Sequence, residues 1–138
     1  METPAVPPSE ELGFRVTLRT RWSDEDVQGV VNNSVYMTLL EEGRHAYFSA
    51  RGFLEGGQFP FLLAQTNIAY LSPGRGGQDV RLEMATTHAG RTSFIQAYRV
   101  RGADGTVWCE AEARLVLVDK DGKKREMPAE FRAALTPQ

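Results

Sequence analysis

The sequence predicts an α+β domain in which an antiparallel sheet packs around one long helix. Three observations predict this class. One strand-like segment precedes a long amphipathic helical segment, four more strand-like segments follow it, and tight turns join those four. Successive strands joined by tight turns form antiparallel sheets, and a lone amphipathic helix must bury its apolar stripe against one face of such a sheet.

The length and composition fit one globular domain. The chain has 138 residues, of which 41% are hydrophobic and 25% charged, and this excludes the disordered, collagen-like and coiled-coil classes. A formal net charge of −2 argues against nucleic-acid binding, because phosphate recognition usually needs a basic surface. The first residues lack the features of a signal peptide, and no apolar run is long enough to cross a membrane. We therefore expect a cytoplasmic protein without nucleic-acid or membrane partners.

Cysteine and histidine are too scarce for disulfide or metal chemistry. Cys109 is the single cysteine, and it alternates with apolar residues, which is typical of a core thiol. The two histidines are His45 and His88. We expect no metal site.

The first predicted strand follows an N-terminal arm. Three prolines and several acidic residues predict that residues 1–12 form a disordered arm, ahead of a single domain of residues 13–138. Phe14–Trp22 alternates apolar and polar residues, which predicts a half-buried strand.

The long helix is predicted over residues 33–50. A loop of turn and capping residues leads into it, and Gly52 follows as a C-terminal stop. Apolar and small residues recur at offsets of three and four, as an amphipathic helix requires: Tyr36, Leu40, Gly43, Tyr47 and Ala50. Gly43 costs about 1 kcal/mol relative to alanine, so we expect it to mark a close helix-to-sheet contact.

The remaining chain predicts four strands and a short terminal helix. The strands are expected at residues 61–71, 79–88, 92–101 and 106–118, and the helix at 128–135. An open sheet has exposed edges, which promote aggregation unless another strand pairs with them. We therefore expect a homodimer that joins two sheets edge to edge, with a dimer of dimers as a further arrangement.

The densest polar cluster lies in the loop before the long helix. Asp24 and Asp26 stand shortly before Gly29 and the helix N-terminus. Free N–H groups and the positive end of the helix dipole stabilise an oxyanion there, while a carboxylate serves as nucleophile or base. This pattern is typical of acyl transfer, but periodicity alone favours residues that cap a helix or brace a turn, because Asp and Asn are common at caps.

At this loop the sequence resembles the hotdog-fold acyl-CoA thioesterases of the 4-hydroxybenzoyl-CoA thioesterase-like family. Residues 22–36 read Trp-Ser-Asp-Glu-Asp-Val-Gln-Gly-Val-Val-Asn-Asn-Ser-Val-Tyr, and Glu41 and Arg44 follow in a Glu-x-x-Arg pattern. The resemblance implies a hotdog fold, in which an antiparallel sheet wraps around one long central helix. It also implies hydrolysis of a thioester to a free acid and coenzyme A. Coenzyme A is then part of the substrate, and we expect no cofactor.

The resemblance also implies roles for individual residues. Asp26 matches the catalytic aspartate, Gly29 the loop glycine, and the backbone N–H of Asn33 the group that polarises the carbonyl. Tyr36 matches a packing aromatic on the helix. Many relatives carry a histidine at the position of Val30 or at that of Asn33, and this chain has neither.

Other polar residues have both a structural and a functional interpretation. Arg91, Thr92 and Ser93 at a predicted turn could grip the phosphates of coenzyme A, or form a solvated turn. Glu41 and Arg44 are three residues apart on the helix, which favours an exposed ion pair over catalysis.

Two alternatives to the thioesterase remain open at this point. The absent histidine makes a non-catalytic binder of acyl thioesters or fatty acids a reasonable alternative, and a dehydratase of 3-hydroxyacyl thioesters ranks behind it. For a thioesterase, we expect an acyl slot near Phe53, Phe59 and Phe61.

Overall fold

The computed structural model describes residues 2–135 as a five-stranded sheet with one long helix and one short terminal helix. In chain order the elements are β1 (Phe14–Arg19), α1 (Asn33–Ala50), β2 (Phe61–Tyr70), β3 (Asp79–Ala89), β4 (Ser93–Arg101), β5 (Val107–Leu117) and α2 (Ala129–Leu135). The strand order is β1-β3-β4-β5-β2, and every neighbouring pair is antiparallel. The predicted fold class is confirmed, and the bounds of α1 are those that the apolar spacing predicts.

Helix α1 lies against one face of the sheet, and the core is the layer between them. Because side chains at i and i+4 share a helix face, one ridge of α1 is buried along its whole length: Tyr36, Leu40, Arg44 and Phe48. Gly43 lets the helix approach closely, since a Cβ there would stand 2.9 Å from two methyl carbons of Leu82. The close contact predicted at Gly43 is therefore present.

At the C-terminal end of α1 the core is aromatic. Phe48 is fully buried, and its ring stacks on Phe131 of α2 with centroids 5.5 Å apart. Phe59, Phe61 and Phe94 surround it with further ring contacts. We call these five residues the phenylalanine cluster. Ring pairs add stability beyond the area that they bury, so this end of the helix is firmly anchored.

The N-terminal segment differs from the expected disordered arm. The described part of this segment, residues 2–12, lies across the face of the sheet that points away from α1, and Leu12 is fully buried. Polar contacts tie the segment to three strands in turn: Ala5 N–H to Glu112, the Arg99 guanidinium to the Pro7 carbonyl, and the Ser9 hydroxyl to Glu83. Composition predicted disorder because its residues are polar or proline, but the partners for those residues lie far along the chain.

Candidate active site at the helix N-terminus

The loop between β1 and α1 folds back on itself as a small hairpin. Glu25 and Val31 form an antiparallel bridge across it. At its tip the Asp26 N–H donates to the Val30 carbonyl and the Gly29 N–H donates to the Asp26 carbonyl, each at 2.9 Å. Gly29 has a φ of +75°, which side-chain-bearing residues rarely adopt, so the tip requires glycine. At its base the Asn32 N–H donates to the Asp24 carbonyl at 2.9 Å, so the hairpin starts and ends beside the N-terminus of α1.

Three acidic residues of this loop have different surroundings. Asp24 is buried and accepts hydrogen bonds from the Arg21 backbone N–H at 2.8 Å and from its guanidinium at 2.9 Å. Glu25 accepts from the Gly76 N–H at 2.9 Å. These two carboxylates therefore hold the loop in place.

Asp26 is the acid whose side chain contributes least to holding the loop. It is half-buried at the tip, and its Oδ1 accepts one hydrogen bond from the Gln28 N–H, at 2.8 Å. That contact stays within the loop and leaves the carboxylate accessible. Glu25 and Asp26 each accept one hydrogen bond, and that of Asp26 comes from the N–H two residues on in the same turn, so Asp26 is the candidate to act on a bound molecule.

The first turn of α1 leaves a backbone N–H available beside this loop. Asn32 is the N-cap, and its Oδ1 accepts from the Ser34 N–H at 2.9 Å, while its carbonyl accepts from the Val35 N–H at 2.9 Å. The N–H of Asn33, the first helical residue, takes no part in these contacts, and Asn33 is exposed. The positive end of the helix dipole lies here, so the N–H of Asn33 can donate to an oxyanion.

A second segment, residues 70–76, holds the helix end and the loop together. The Tyr70 hydroxyl donates to the Asn33 carbonyl at 3.3 Å, and the Val31 N–H donates to the Gly74 carbonyl at 2.9 Å. The Arg75 guanidinium donates to the carbonyl of Gly29. The sequence indicated only a turn at Pro73-Gly74, and this bracing role was missed.

Glycines make that bracing possible. A Cβ on Gly76 would stand 2.3 Å from the Arg21 carbonyl oxygen, and one on Gly74 would stand 2.5 Å from the Tyr36 hydroxyl. Both positions therefore exclude a side chain unless the backbone or its neighbours move. The run Gly-Arg-Gly-Gly at 74–77 was the available signal for this close packing.

Buried hydroxyl and thiol groups line the base of the site. Tyr36 is buried, and its ring meets that of Tyr70 edge-on with centroids 5.4 Å apart. Burial raises the pKa of Tyr36 to about 12, and burial likewise raises the pKa of Cys109 to about 12. Both groups stay protonated at neutral pH. Cys109 is thus a core thiol, as its spacing predicted, and lacks the thiolate that a nucleophile needs.

The remaining candidate residues lie elsewhere. Arg91 and Thr92 lie in the turn that joins β3 to β4, at the opposite end of the sheet, and Ser93 is the first residue of β4; the Arg91 guanidinium lies 3.6 Å from Glu126. Asp26 and Gly29 lie in the loop hairpin and Asn33 and Tyr36 in the first turn of α1 that follows it, whereas Arg91, Thr92 and Ser93 lie at the other end of the sheet.

The expected surface pair on α1 is wrong. Glu41 is exposed, but Arg44 is buried, because it shares the sheet-facing ridge with Leu40 and Phe48. His45 and His88 are both exposed and lie outside the loop. In the described part of the chain no group of His, Cys, Asp and Glu could hold a metal ion, and no helix is long and apolar enough to span a membrane.

Comparisons with known proteins agree with this architecture. A family model described as the thioesterase superfamily matches residues 28–109. The acyl-CoA thioester hydrolase YbgC of Escherichia coli O6:H1 is 28% identical over 129 residues, covering 86% of this chain and 96% of that protein.

Solved structures show the same fold. A thioesterase from Thermus thermophilus, solved with coenzyme A and Zn, is 29% identical with a TM-score of 0.78, covering 88% of this chain and 90% of that one. A protein from Pseudomonas aeruginosa PAO1 has a TM-score of 0.82 at 21% identity, covering 92% of each chain. The hotdog arrangement that the loop resemblance implied is confirmed.

Proposed function

The chain belongs to the thioesterase superfamily, and from that premise we propose that it hydrolyses acyl-CoA thioesters to a free acid and coenzyme A, with Asp26 as nucleophile or general base. The observation that carries this proposal is the folded loop. It presents the accessible Asp26 carboxylate close in the chain to the N-terminus of α1, where the Asn33 N–H is available.

Both forms of the reaction use the same two groups. As nucleophile, the Asp26 carboxylate adds to the thioester carbonyl carbon, the C–S bond breaks, and water then hydrolyses the mixed anhydride. As general base, Asp26 takes a proton from the water that adds to this carbon. In either case negative charge develops on the carbonyl oxygen, and a preorganised donor such as the Asn33 N–H stabilises it.

The chemistry of thiols explains why a histidine is dispensable in this proposal. A thiol has a pKa of about 8.5, far below that of an alcohol, so the coenzyme A thiolate leaves without strong help from a general acid. The exposed positions of His45 and His88 outside the loop therefore do not count against hydrolysis.

We further propose that the enzyme is a homodimer joined through β2. This strand is an edge of the sheet, and it exposes apolar side chains: Leu62 (59%), Leu63 (40%) and Tyr70 (46%). Two copies of one strand paired antiparallel about a two-fold axis place the start of one beside the end of the other. Such pairing would cover the edge and the apolar side chains together.

The same dimer would give Arg91, Thr92 and Ser93 a binding role. The β3–β4 turn lies at the end of the sheet where β2 starts, and the helix N-terminus lies where β2 ends. In the proposed dimer the turn of one copy would approach the helix N-terminus of the other. A guanidinium and two hydroxyls suit the phosphates of coenzyme A.

Thiol release from short, long and aromatic acyl-CoAs tests the proposed activity. We expect turnover with at least one class of acyl group by the dimeric protein. Tight binding of acyl-CoA with no thiol release by any member of the panel would replace the hydrolase with the non-catalytic binder.

A further inference from the structure

The base of the loop before α1 is anchored at several points. The buried Asp24 carboxylate accepts hydrogen bonds from Arg21, and the Asp24 carbonyl accepts from the Asn32 N–H at 2.9 Å. The Val31 N–H donates to the Gly74 carbonyl, also at 2.9 Å. Both strands of the small hairpin are therefore fixed at this end.

The tip of the loop, residues 26–30, is held much more sparsely. Val27 is fully exposed, so packing does not hold this part of the tip. Three hydrogen bonds of the tip stay inside it: Asp26 N–H to the Val30 carbonyl, Gly29 N–H to the Asp26 carbonyl, and Gln28 N–H to Asp26 Oδ1. The tip is thus one compact turn that carries the Asp26 carboxylate, and its place depends on what joins that turn to the rest of the protein.

In the described part of the chain, one hydrogen bond joins this tip to a segment outside the loop. It runs from the Arg75 guanidinium to the Gly29 carbonyl. The guanidinium lies directly against the turn, since a Cβ on Gly29 would stand 3.8 Å from Arg75 Nη1. A hydrogen bond from a charged donor is stronger than one between neutral groups. Arg75 is therefore the group that ties the tip to the protein.

The backbone of Arg75 is itself fixed. Its carbonyl accepts a hydrogen bond from the hydroxyl of Thr20 at 2.9 Å, and Thr20 is buried directly after β1. The next residue, Gly76, donates its N–H to Glu25 at 2.9 Å. Gly76 also packs so closely that a Cβ there would stand 2.3 Å from the Arg21 carbonyl oxygen. The side chain of Arg75 thus connects the tip to a fixed point beside the sheet.

The Arg75 side chain has no second structural role within residues 2–135. It is exposed, no carboxylate there lies within 4.0 Å of it, and the bond to Gly29 is the one hydrogen bond of its guanidinium. Substitutions of exposed side chains usually change the free energy of unfolding little. Variants of Arg75 should therefore alter the tip and preserve the fold.

We propose that Arg75 is a positioning residue for the reaction: by holding the Gly29 carbonyl, it fixes the turn that aims the Asp26 carboxylate at the substrate. This inference rests on the proposed role of Asp26 in hydrolysis. The Gly29 N–H binds the Asp26 carbonyl at 2.9 Å, so a displacement of Gly29 moves Asp26 with it. A misplacement of about 1 Å can cost about 100-fold in rate.

Steady-state thiol release by Arg75→Met tests the proposal, because methionine keeps an apolar stem and removes the guanidinium. We expect kcat to fall about 10–100-fold, with KM and Tm close to those of the wild type. Arg114→Met is the matched control, since Arg114 is an exposed arginine on β5. It should retain the wild-type kcat. A raised KM with unchanged kcat in Arg75→Met would show that Arg75 binds the substrate directly and would overturn the positioning role.

A double-mutant cycle shows whether Arg75 acts through Asp26. If it does, Arg75→Met should lower kcat by no more than about twofold in an Asp26→Asn background, since the carboxylate that it positions is already gone. Losses that multiply would show an effect independent of Asp26 and would overturn the proposal. Should Arg75→Met fail to fold, Arg75→Lys carries the same cycle with a smaller loss, because lysine keeps a charged donor without the planar guanidinium.

Backbone order at the tip separates this inference from the proposed hydrolysis. We expect NMR amide order parameters of residues 26–30 to be about 0.85 in the wild type and to fall toward about 0.6 in Arg75→Met, with those of α1 unchanged. That fall in a protein without any thioester turnover would keep Arg75 as the support of the tip and remove the hydrolase. Unchanged order in Arg75→Met beside normal wild-type turnover would overturn the role of Arg75 and leave the hydrolase.

Discussion

At its N-terminal end helix α1 meets a polar loop held by backbone hydrogen bonds, whereas at its C-terminal end it meets five packed phenylalanines. The phenylalanine cluster buries large rings and anchors the helix. The loop end exposes Asn33 and keeps Asp26 accessible. Under the proposed function one helix divides stability and chemistry between its two ends, and variants at each end should affect different measurements.

The largest effect on stability is expected at the phenylalanine cluster. Phe48→Ala removes a fully buried ring that contacts four other rings of the cluster, and truncations of this kind cost about 3–5 kcal/mol. Urea unfolding measures this loss, while kcat of the folded fraction should change little. A large fall in kcat with unchanged stability would contradict the division of stability and chemistry between the two ends of α1.

Alkaline pH should lower the free energy of unfolding, because buried thiol and phenol groups near the loop must ionise. Unfolded Cys109 ionises near 9.0 and an unfolded tyrosine near 10.0, whereas burial raises the pKa values of Cys109 and Tyr36 to about 12. The folded state therefore keeps protons that the unfolded state loses. The contribution of these two groups to the free energy of unfolding should be constant below pH 9 and fall as the pH rises toward 12. Urea unfolding measured across this range in Cys109→Ala should show a later onset, nearer pH 10, and an unchanged profile would refute the role of the thiol.

Removal of the helix cap should affect chemistry more than stability. Asn32→Ala deletes the side chain that accepts from the Ser34 N–H, and such losses cost about 1 kcal/mol. We expect the cap to hold the first turn that carries the Asn33 N–H, so kcat should fall further than this stability loss suggests. Asn32→Ser keeps a capping oxygen and should retain most activity. Equal kcat in both variants would show that the cap does not position the oxyanion donor.

The smallest effect is expected at the Tyr70 hydroxyl. Tyr70→Phe removes one hydrogen bond of 3.3 Å to the Asn33 carbonyl and keeps the ring, so the change in Tm should be small. A loss of about 1 kcal/mol in transition-state stabilisation lowers kcat about fivefold. Steady-state kinetics separates this loss in kcat from any change in KM, and an altered KM alone would point to substrate contact instead.

The elements of the fold were predictable because their signals are local. The apolar spacing of 33–50 and the alternation along β3 and β5 each depend on neighbouring residues, and the structure confirms them. The thioesterase family was predictable from the loop, since its acidic and glycine positions are contiguous in sequence.

The burial of Arg44 and the accessibility of the loop acids were not predictable, because they depend on how the chain folds. Arg44 was predicted at the surface from its charge and from the Glu-x-x-Arg spacing, but the long apolar stem of arginine lets it occupy a buried ridge. Likewise, Asp24 and Asp26 look alike in sequence. Only the folded loop shows that Arg21 binds the first and leaves the second accessible.

Turnover by Asp26→Asn is the measurement that tests the central claim most directly. Thiol release from the best acyl-CoA should be compared in the wild type, Asp26→Asn and the surface control Asp121→Asn. Loss of the carboxylate should lower kcat by about 10²–10⁴-fold with the Tm nearly unchanged, while the control retains full rate. Wild-type turnover in folded Asp26→Asn would contradict the assignment of Asp26 and the division of labour along α1.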